Sequence, residues 1–199
     1  MVRKVDPIKH EERRAEILAA AERCFARNGF HGATIDQICD EAGISPGHLY
    51  HYFAGKEAII GAITSAGLEY VEARFAEIAD DQDPIAALLA EYERLRVLTR
   101  TKSGVHLDLL AEAARDPQVG KALQDVSRGM RQLLADYLRR AQARGQIDPT
   151  LDPDVASALL ISLIDSAKTL LIRDPNIDPV RSAEVFDVMI TRFLSPPQG

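Results

Sequence analysis

Tryptophan is absent from the 199 residues, cysteine occurs only twice, and no apolar run is long. Each shortage excludes a class of protein. Two cysteines cannot staple a disulfide scaffold, and Cys24 and Cys39 both sit inside apolar patterns, where buried free thiols are expected. The longest uncharged apolar stretch, Val155 to Ile164, is stopped by Asp165. It falls well short of the ~20 residues a bilayer-spanning helix needs. Arg3 and Lys4 are followed by charged residues, so no signal peptide and a cytoplasmic protein without a membrane partner are expected. Alternating β-branched runs are missing, which argues against a sheet. There is no Gly-rich phosphate loop, nucleophile elbow or paired metal motif, and His106 with Asp108 is too little for a catalytic site. No enzyme, cofactor or resident metal is expected.

A basic excess is lacking too. The chain carries 24 Lys/Arg against 30 Asp/Glu, a net charge of −6, which excludes a simple polybasic binder. The distribution is uneven: residues 1–60 hold 8 Lys/Arg and 9 Asp/Glu, and the remainder 16 and 21. Four of the five histidines also lie in the first 60 residues. Any nucleic-acid surface must therefore be local and N-terminal.

Helix starts are plentiful. Seven of the ten prolines directly follow an aspartate, a pairing in which the carboxylate accepts a free amide and proline occupies the first turn. Asp83, Asp116, Asp152 and Asp178 each precede a long periodic segment. The pattern predicts an all-α chain of nine helices, at about 10–28, 34–41, 45–52, 56–79, 83–99, 104–115, 116–144, 152–173 and 178–194. Gly29 should end the first helix, Gly43 should turn between the second and third, and Gly129 marks a candidate irregularity in the seventh. Thr34 and Gln37 fit a capping box. The expected organisation is a basic arm over 1–9, a set of short helices over 10–55, a region of longer helices over 56–194, and a disordered tail over 195–199.

The third helix is short and dense in polar aromatics. On a helical wheel Leu49 and Phe53 fall together and face inward, while Gly47, His48 and His51 lie opposite, flanked by Tyr50 and Tyr52. Two short helices joined by a glycine turn match a helix-turn-helix, and a major groove about 12 Å wide admits one helix. Gly47 removes a side chain where the backbone must come close, and imidazoles and phenols can bond base edges or phosphates. Lys56, at the start of the next helix, and the amides behind Thr34 suit phosphate oxygens. Arg3, Lys4, Lys9, Arg13 and Arg14 can add backbone or minor-groove contacts. The alternative for His48 and His51 is a metal pair, but no Cys or carboxylate completes a tetrahedral set on that face.

From about Arg13 to Ala66 the sequence resembles the DNA-binding domain of TetR-family transcriptional regulators. The stretch "ILAAAERCFARNGFHGATIDQICDEAGISPGHLYHYFAGKEAII" carries the match. Its ordered set is Gly29–Phe30, Thr34–Ile35, Ala42–Gly43–Ile44–Ser45, Leu49–Tyr50, Phe53 and Lys56–Glu57. The resemblance implies a homodimeric, nine-helix repressor, with a helix-turn-helix DNA-binding domain over 10–55 and an effector-binding and dimerisation domain over 56–194, that binds a palindromic double-stranded operator and is released by a small-molecule inducer. By position, Pro46, Gly47, His48, Tyr50 and His51 would approach bases, and Thr34, Ser45, Tyr52 and Lys56 would mainly hold phosphates. Many members place histidine directly before the phenylalanine; here Tyr52 stands there.

The eighth helix, "VASALLISLIDSAKTLLI", is apolar nearly all round, so more than one face should be buried. A partner subunit is the simplest second cover, and the resemblance implies that the eighth and ninth helices form a four-helix dimer interface. It also implies an effector pocket among the fourth to eighth helices, with the fourth moving the reading head. Tyr70, Tyr92, His106, Met130 and Asp165 are candidate pocket residues. The alternatives are a satisfied core histidine, an aspartate bonded across subunits, and core tyrosine or methionine. Stretches from "HLDLLAEAARDPQVGKALQDV" onward also resemble the C-terminal domain of betaine-pathway regulators, a branch that includes choline-responsive members. A cation cage needs clustered aromatics, and none is evident here, so choline is not favoured. The competing readings are a helical adaptor that binds protein, which would lack the steep salt dependence of a DNA binder, and, less favoured, a small-molecule enzyme.

Overall fold

The computed structural model describes residues 7–99 and 103–197. Arg3 and Lys4 of the basic arm, and the last two residues of the 195–199 tail, lie outside the described residues. Among the described residues there is no strand. The helices are α1 (Pro7–Gly32), α2 (Ile35–Ala42), α3 (Pro46–Leu49), α4 (Lys56–Ile78), α5 (Pro84–Thr99), α6 (Ser103–Ala113), α7 (Pro117–Ala143), α8 (Pro153–Lys168), α9 (Leu170–Arg173) and α10 (Pro179–Leu194).

The Asp–Pro device works as its chemistry requires. Asp83 accepts the Ala86 amide, and Asp116 accepts those of Gln118 and Val119. Asp152 and Asp178 each accept two amides from the first turns of α8 and α10. Such caps contribute about 1 kcal/mol each.

Two expectations need correction. Gly129 does not disturb α7, which runs unbroken. A Cβ at Gly129 would stand 2.6 Å from a Leu68 methyl, so the glycine lets α4 come close. The single helix expected over 152–173 is divided at Thr169. The Thr169 hydroxyl and amide both donate to the Ser166 carbonyl, a tightening that ends α8 and leaves α9 as one further turn. Among the described residues the nine expected helices thus appear as ten segments, α8 and α9 together standing for the eighth.

The chain divides into two compact units. The first gathers residues 7–67 with 104–126. Its core holds Ile17, Phe25, Ile38, Leu49, Phe53 and Ile59, joined by Leu109 of α6 and Val119 of α7. It therefore extends beyond the 10–55 segment that the sequence marks for DNA binding. The second unit holds the described parts of 68–103 and 127–199. Phe75, Leu134, Tyr137, Leu138, Leu160 and Ile190 belong to its core. Tyr137 is 1% exposed, meets Phe75 edge-on and donates its hydroxyl to the Pro84 carbonyl at 2.8 Å. Glu91 is also buried here; Arg74 and Arg94 approach its Oε2, while its Oε1 has no hydrogen-bond partner among the described residues.

Candidate nucleic-acid interface

Local chemistry sets the two short helices of the first unit. Thr34 caps α2: its hydroxyl oxygen accepts the Gln37 amide at 3.2 Å, and the Gln37 side chain accepts the Thr34 amide at 3.0 Å. Gly43 then takes φ 64°, the left-handed conformation that lets the chain reverse. Ser45 caps α3, its oxygen accepting the His48 amide at 3.3 Å, with Pro46 in the first turn. In both caps the hydroxyl proton stays available to a phosphate.

Helical bonding continues past Leu49: the Tyr50, Tyr52 and Phe53 amides donate to the Pro46, Leu49 and Leu49 carbonyls. Leu49 and Phe53 are buried, as the wheel requires. Pro46, Gly47, His48, Tyr50 and His51 are all exposed, and Tyr50 is 55% so. Open space surrounds the position where a Gly47 Cβ would stand. All five expected base-approaching residues are thus open to solvent, with Thr34 and Ser45 exposed at the helix starts.

Two side chains expected at phosphates are engaged within the protein. Lys56 does not point outward. Its ammonium donates to the Phe30 and Ala33 carbonyls, both at 2.9 Å, and lies over the Phe30 ring. It closes the turn after α1, because two carbonyls left over at that helix end need donors. Tyr52 is half-buried, stacked on His10 at 4.6 Å and tilted against His48.

The basic side chains beside this face are largely paired. Arg13 meets Glu16 and Arg14 meets Glu11. Glu41 takes both Arg23 and Arg27, and their hydrogen bonds, Arg23 first, hold its carboxyl below the usual carboxylate range. Burial pushes the Cys39 thiol up, so it stays protonated and inert.

His10, stacked on Tyr52, and the buried Glu91 were not singled out by the sequence reading. Both had a signal. His10 stands four and seven residues before Arg14 and Ile17, on the buried stripe of α1, and Glu91 stands three after Leu88 and four before Leu95.

Of the candidate pocket residues, His106 belongs to the first unit and the other four to the second. Tyr70 is 41% exposed. Tyr92 is half-buried and stacked on Phe186 at 4.5 Å, and burial raises its phenol. Met130 packs on the second core; His106 and Asp165 are half-buried. None of the five lines the open groove of about 490 Å³ along α9 and α10, which Leu170, Ile177, Arg181, Val185, Phe186 and Met189 help to form.

Comparison with known proteins agrees with the geometry. Residues 17–63 match the family described as bacterial regulatory proteins, tetR family. Residues 78–188 match the tetracyclin repressor-like C-terminal domain. The chain is 34% identical over 150 residues to the HTH-type transcriptional regulator UidR of Escherichia coli K12, covering 75% of this chain and 76% of that one. It is 29% identical over 148 residues to the repressor KstR2 of Mycobacterium tuberculosis, covering 72% and 73%. The structure of Salmonella enterica GusR superposes with a TM-score of 0.79 at 30% identity, over 92% of this chain and 95% of that one. The chain belongs to the TetR family of bacterial helix-turn-helix transcriptional regulators, and it is a DNA-binding regulator rather than an enzyme.

Proposed function

We propose that the protein is a repressor that binds a palindromic operator as a homodimer and is released by a small-molecule effector. The observation that carries this reading is the exposed face of Pro46, Gly47, His48, Tyr50 and His51, held up by a buried Leu49 and Phe53. These five approach base edges in the major groove. Thr34, Ser45 and Tyr52 supply hydroxyls to phosphates on either side. Lys56, whose ammonium is already bound twice, supports the turn instead.

Self-association is supported by the apolar surface of α8 and α10. Val155, Leu159, Val180, Val185, Val188 and Met189 are all exposed large hydrophobics. Packing that surface against a second copy, α8 and α10 from each, makes a four-helix interface and removes it from water, at about 25 cal/mol per Å² buried. The two-fold axis sets two reading heads roughly 34–36 Å apart, one turn of the duplex.

The effector reading rests on family membership and the C-terminal match. An effector that favours a dimer with the wrong head spacing lowers operator affinity, and operator then lowers effector affinity by the same factor. Tyr92, beside the groove-lining Phe186, and Tyr70, Met130 and Asp165 remain its candidate contacts in the second unit, with His106 in the first.

The test is selection from random duplexes at low ionic strength, followed by a salt titration and the mass of the complex. A repressor yields a palindrome, two chains per site and a steep loss of affinity with salt. Salt-indifferent capture of protein instead of DNA supports a helical adaptor and rejects the operator reading.

A further inference from the structure

Four rings run in contact from α1 to the reading face. His10 stacks on Tyr52 with centroids 4.6 Å apart and planes 28° apart. Tyr52 lies 5.5 Å from His48 at 60°, and His48 meets His51 edge-on at 6.5 Å. One turn further along α1, the Arg14 guanidinium sits over the Phe53 ring at 5.4 Å. Positions four apart on one face of α1 thus hold two successive aromatic residues just beyond α3.

The burial of these rings is graded. His48 and His51 are exposed, while Tyr52 and His10 are half-buried. An exposed imidazole on a short helix samples several rotamers, and freezing them on a base edge costs binding free energy. A ring already packed beside it removes some of that freedom in advance. Tyr52 can do this only if its own ring is fixed, and its second face is covered by His10.

We infer that His10 is a positioning residue for DNA reading: through Tyr52 it sets the rotamer of His48 and sharpens discrimination at the base pair His48 meets, without touching DNA itself. The inference rests on the operator reading above and adds a residue on α1 to it.

The experiment uses the full chain and the duplex that it selects. The pair read by His48 is the one whose substitution ceases to matter in His48→Ala. His10→Ala is expected to weaken the selected duplex about three- to tenfold. It should also narrow the gap between that duplex and one altered at the His48 pair. His10→Phe keeps the stack and is expected to restore both. In a His48→Ala background, His10→Ala is expected to add no further loss. Equal losses in both backgrounds overturn the inference, as does a His10→Ala chain that binds like wild type. Failure of His10→Phe to restore binding, with a shallower salt slope, also overturns it, because that pattern marks a direct phosphate contact. A wild-type chain that selects no duplex overturns the operator reading along with it.

Discussion

Asp108 of α6 caps a break in α1: its Oδ2 accepts the Phe30 amide at 3.3 Å and would stand 2.5 Å from a Cβ on Gly29. Gly29 has φ 69° and ψ 170°, a region essentially closed to residues with a side chain. Two independent demands therefore fall on one glycine. Next to Phe30 in α1 and one turn beyond Asp108 in α6, His31 Nε2 lies 2.7 Å from Glu112 Oε2, close but without hydrogen-bond alignment. Gly29→Ala is expected to cost about 1–3 kcal/mol in denaturant unfolding from backbone strain alone, plus the collision. Adding Asp108→Ala removes the collision but leaves the strain and takes away the Phe30 amide's acceptor, so the double variant should recover part at most. Full recovery, or an unchanged midpoint in the single variant, would contradict the assignment.

Lys56 yields a prediction that differs from the one its position suggests. Removing an ammonium that satisfies two carbonyls leaves both without that donor, at about 1–3 kcal/mol. Lys56→Ala should lower the unfolding midpoint while leaving the salt slope of operator binding unchanged. A normal midpoint with a slope reduced by about one phosphate would show that the ammonium swings out to DNA.

Tyr50 makes the complementary case. It is more than half exposed, with its neighbour Leu49 buried, so truncation spares the core. Tyr50→Ala should cost roughly 1–3 kcal/mol in operator affinity with the oligomeric state and melting point preserved. Unchanged affinity for the selected duplex rejects this face as the reading surface.

These contrasts show what the sequence could and could not convey. Periodicity and Asp–Pro pairs placed the helices, because burial stripes and caps are local properties of the chain. The exposed side of the short helix was legible for the same reason: Leu49 and Phe53 fix which way it turns. The engagement of Lys56 was not legible because its partners, Phe30 and Ala33, lie more than twenty residues earlier, and a sequence shows a charge but not the carbonyls it meets. The division at Thr169 was invisible because a threonine hydroxyl turned back on Ser166 leaves no mark in an apolar run. The packing of α6 and early α7 into the first unit was hidden likewise, since Leu109 and Val119 fit any helix core.

Leu159 tests the proposed self-association. It is 59% exposed on α8, so a charge there should leave the protomer folded. Across a two-fold axis each substitution counts twice. Leu159→Glu is expected to raise the dimer dissociation constant roughly tenfold or more. Sedimentation should show monomer, and operator affinity should fall with it. A variant that stays dimeric, with normal operator binding, excludes this face of α8 from the interface.

Tyr137 sets an alkaline limit on stability. Burial is the main cause that pushes its phenol up to about 12, helped by Asp81 and Asp83 and opposed by Arg144 and Arg140. An unfolded tyrosine releases its proton near pH 10. Between those values the folded chain holds a proton that the unfolded chain has lost, so stability falls as pH rises through that window and is unaffected by this group below it. Tyr137→Phe removes the titration together with the hydrogen bond to the Pro84 carbonyl, which is worth about 1–2 kcal/mol at neutral pH. The variant should therefore be less stable than wild type at pH 8 and lose less between pH 10 and 12. Tyr92 is also raised by burial but is present in both chains, so the wild-type minus variant difference isolates Tyr137. Denaturant midpoints across that range give the difference directly, and a difference that stays constant from pH 8 to 12 excludes Tyr137 as the titrating group.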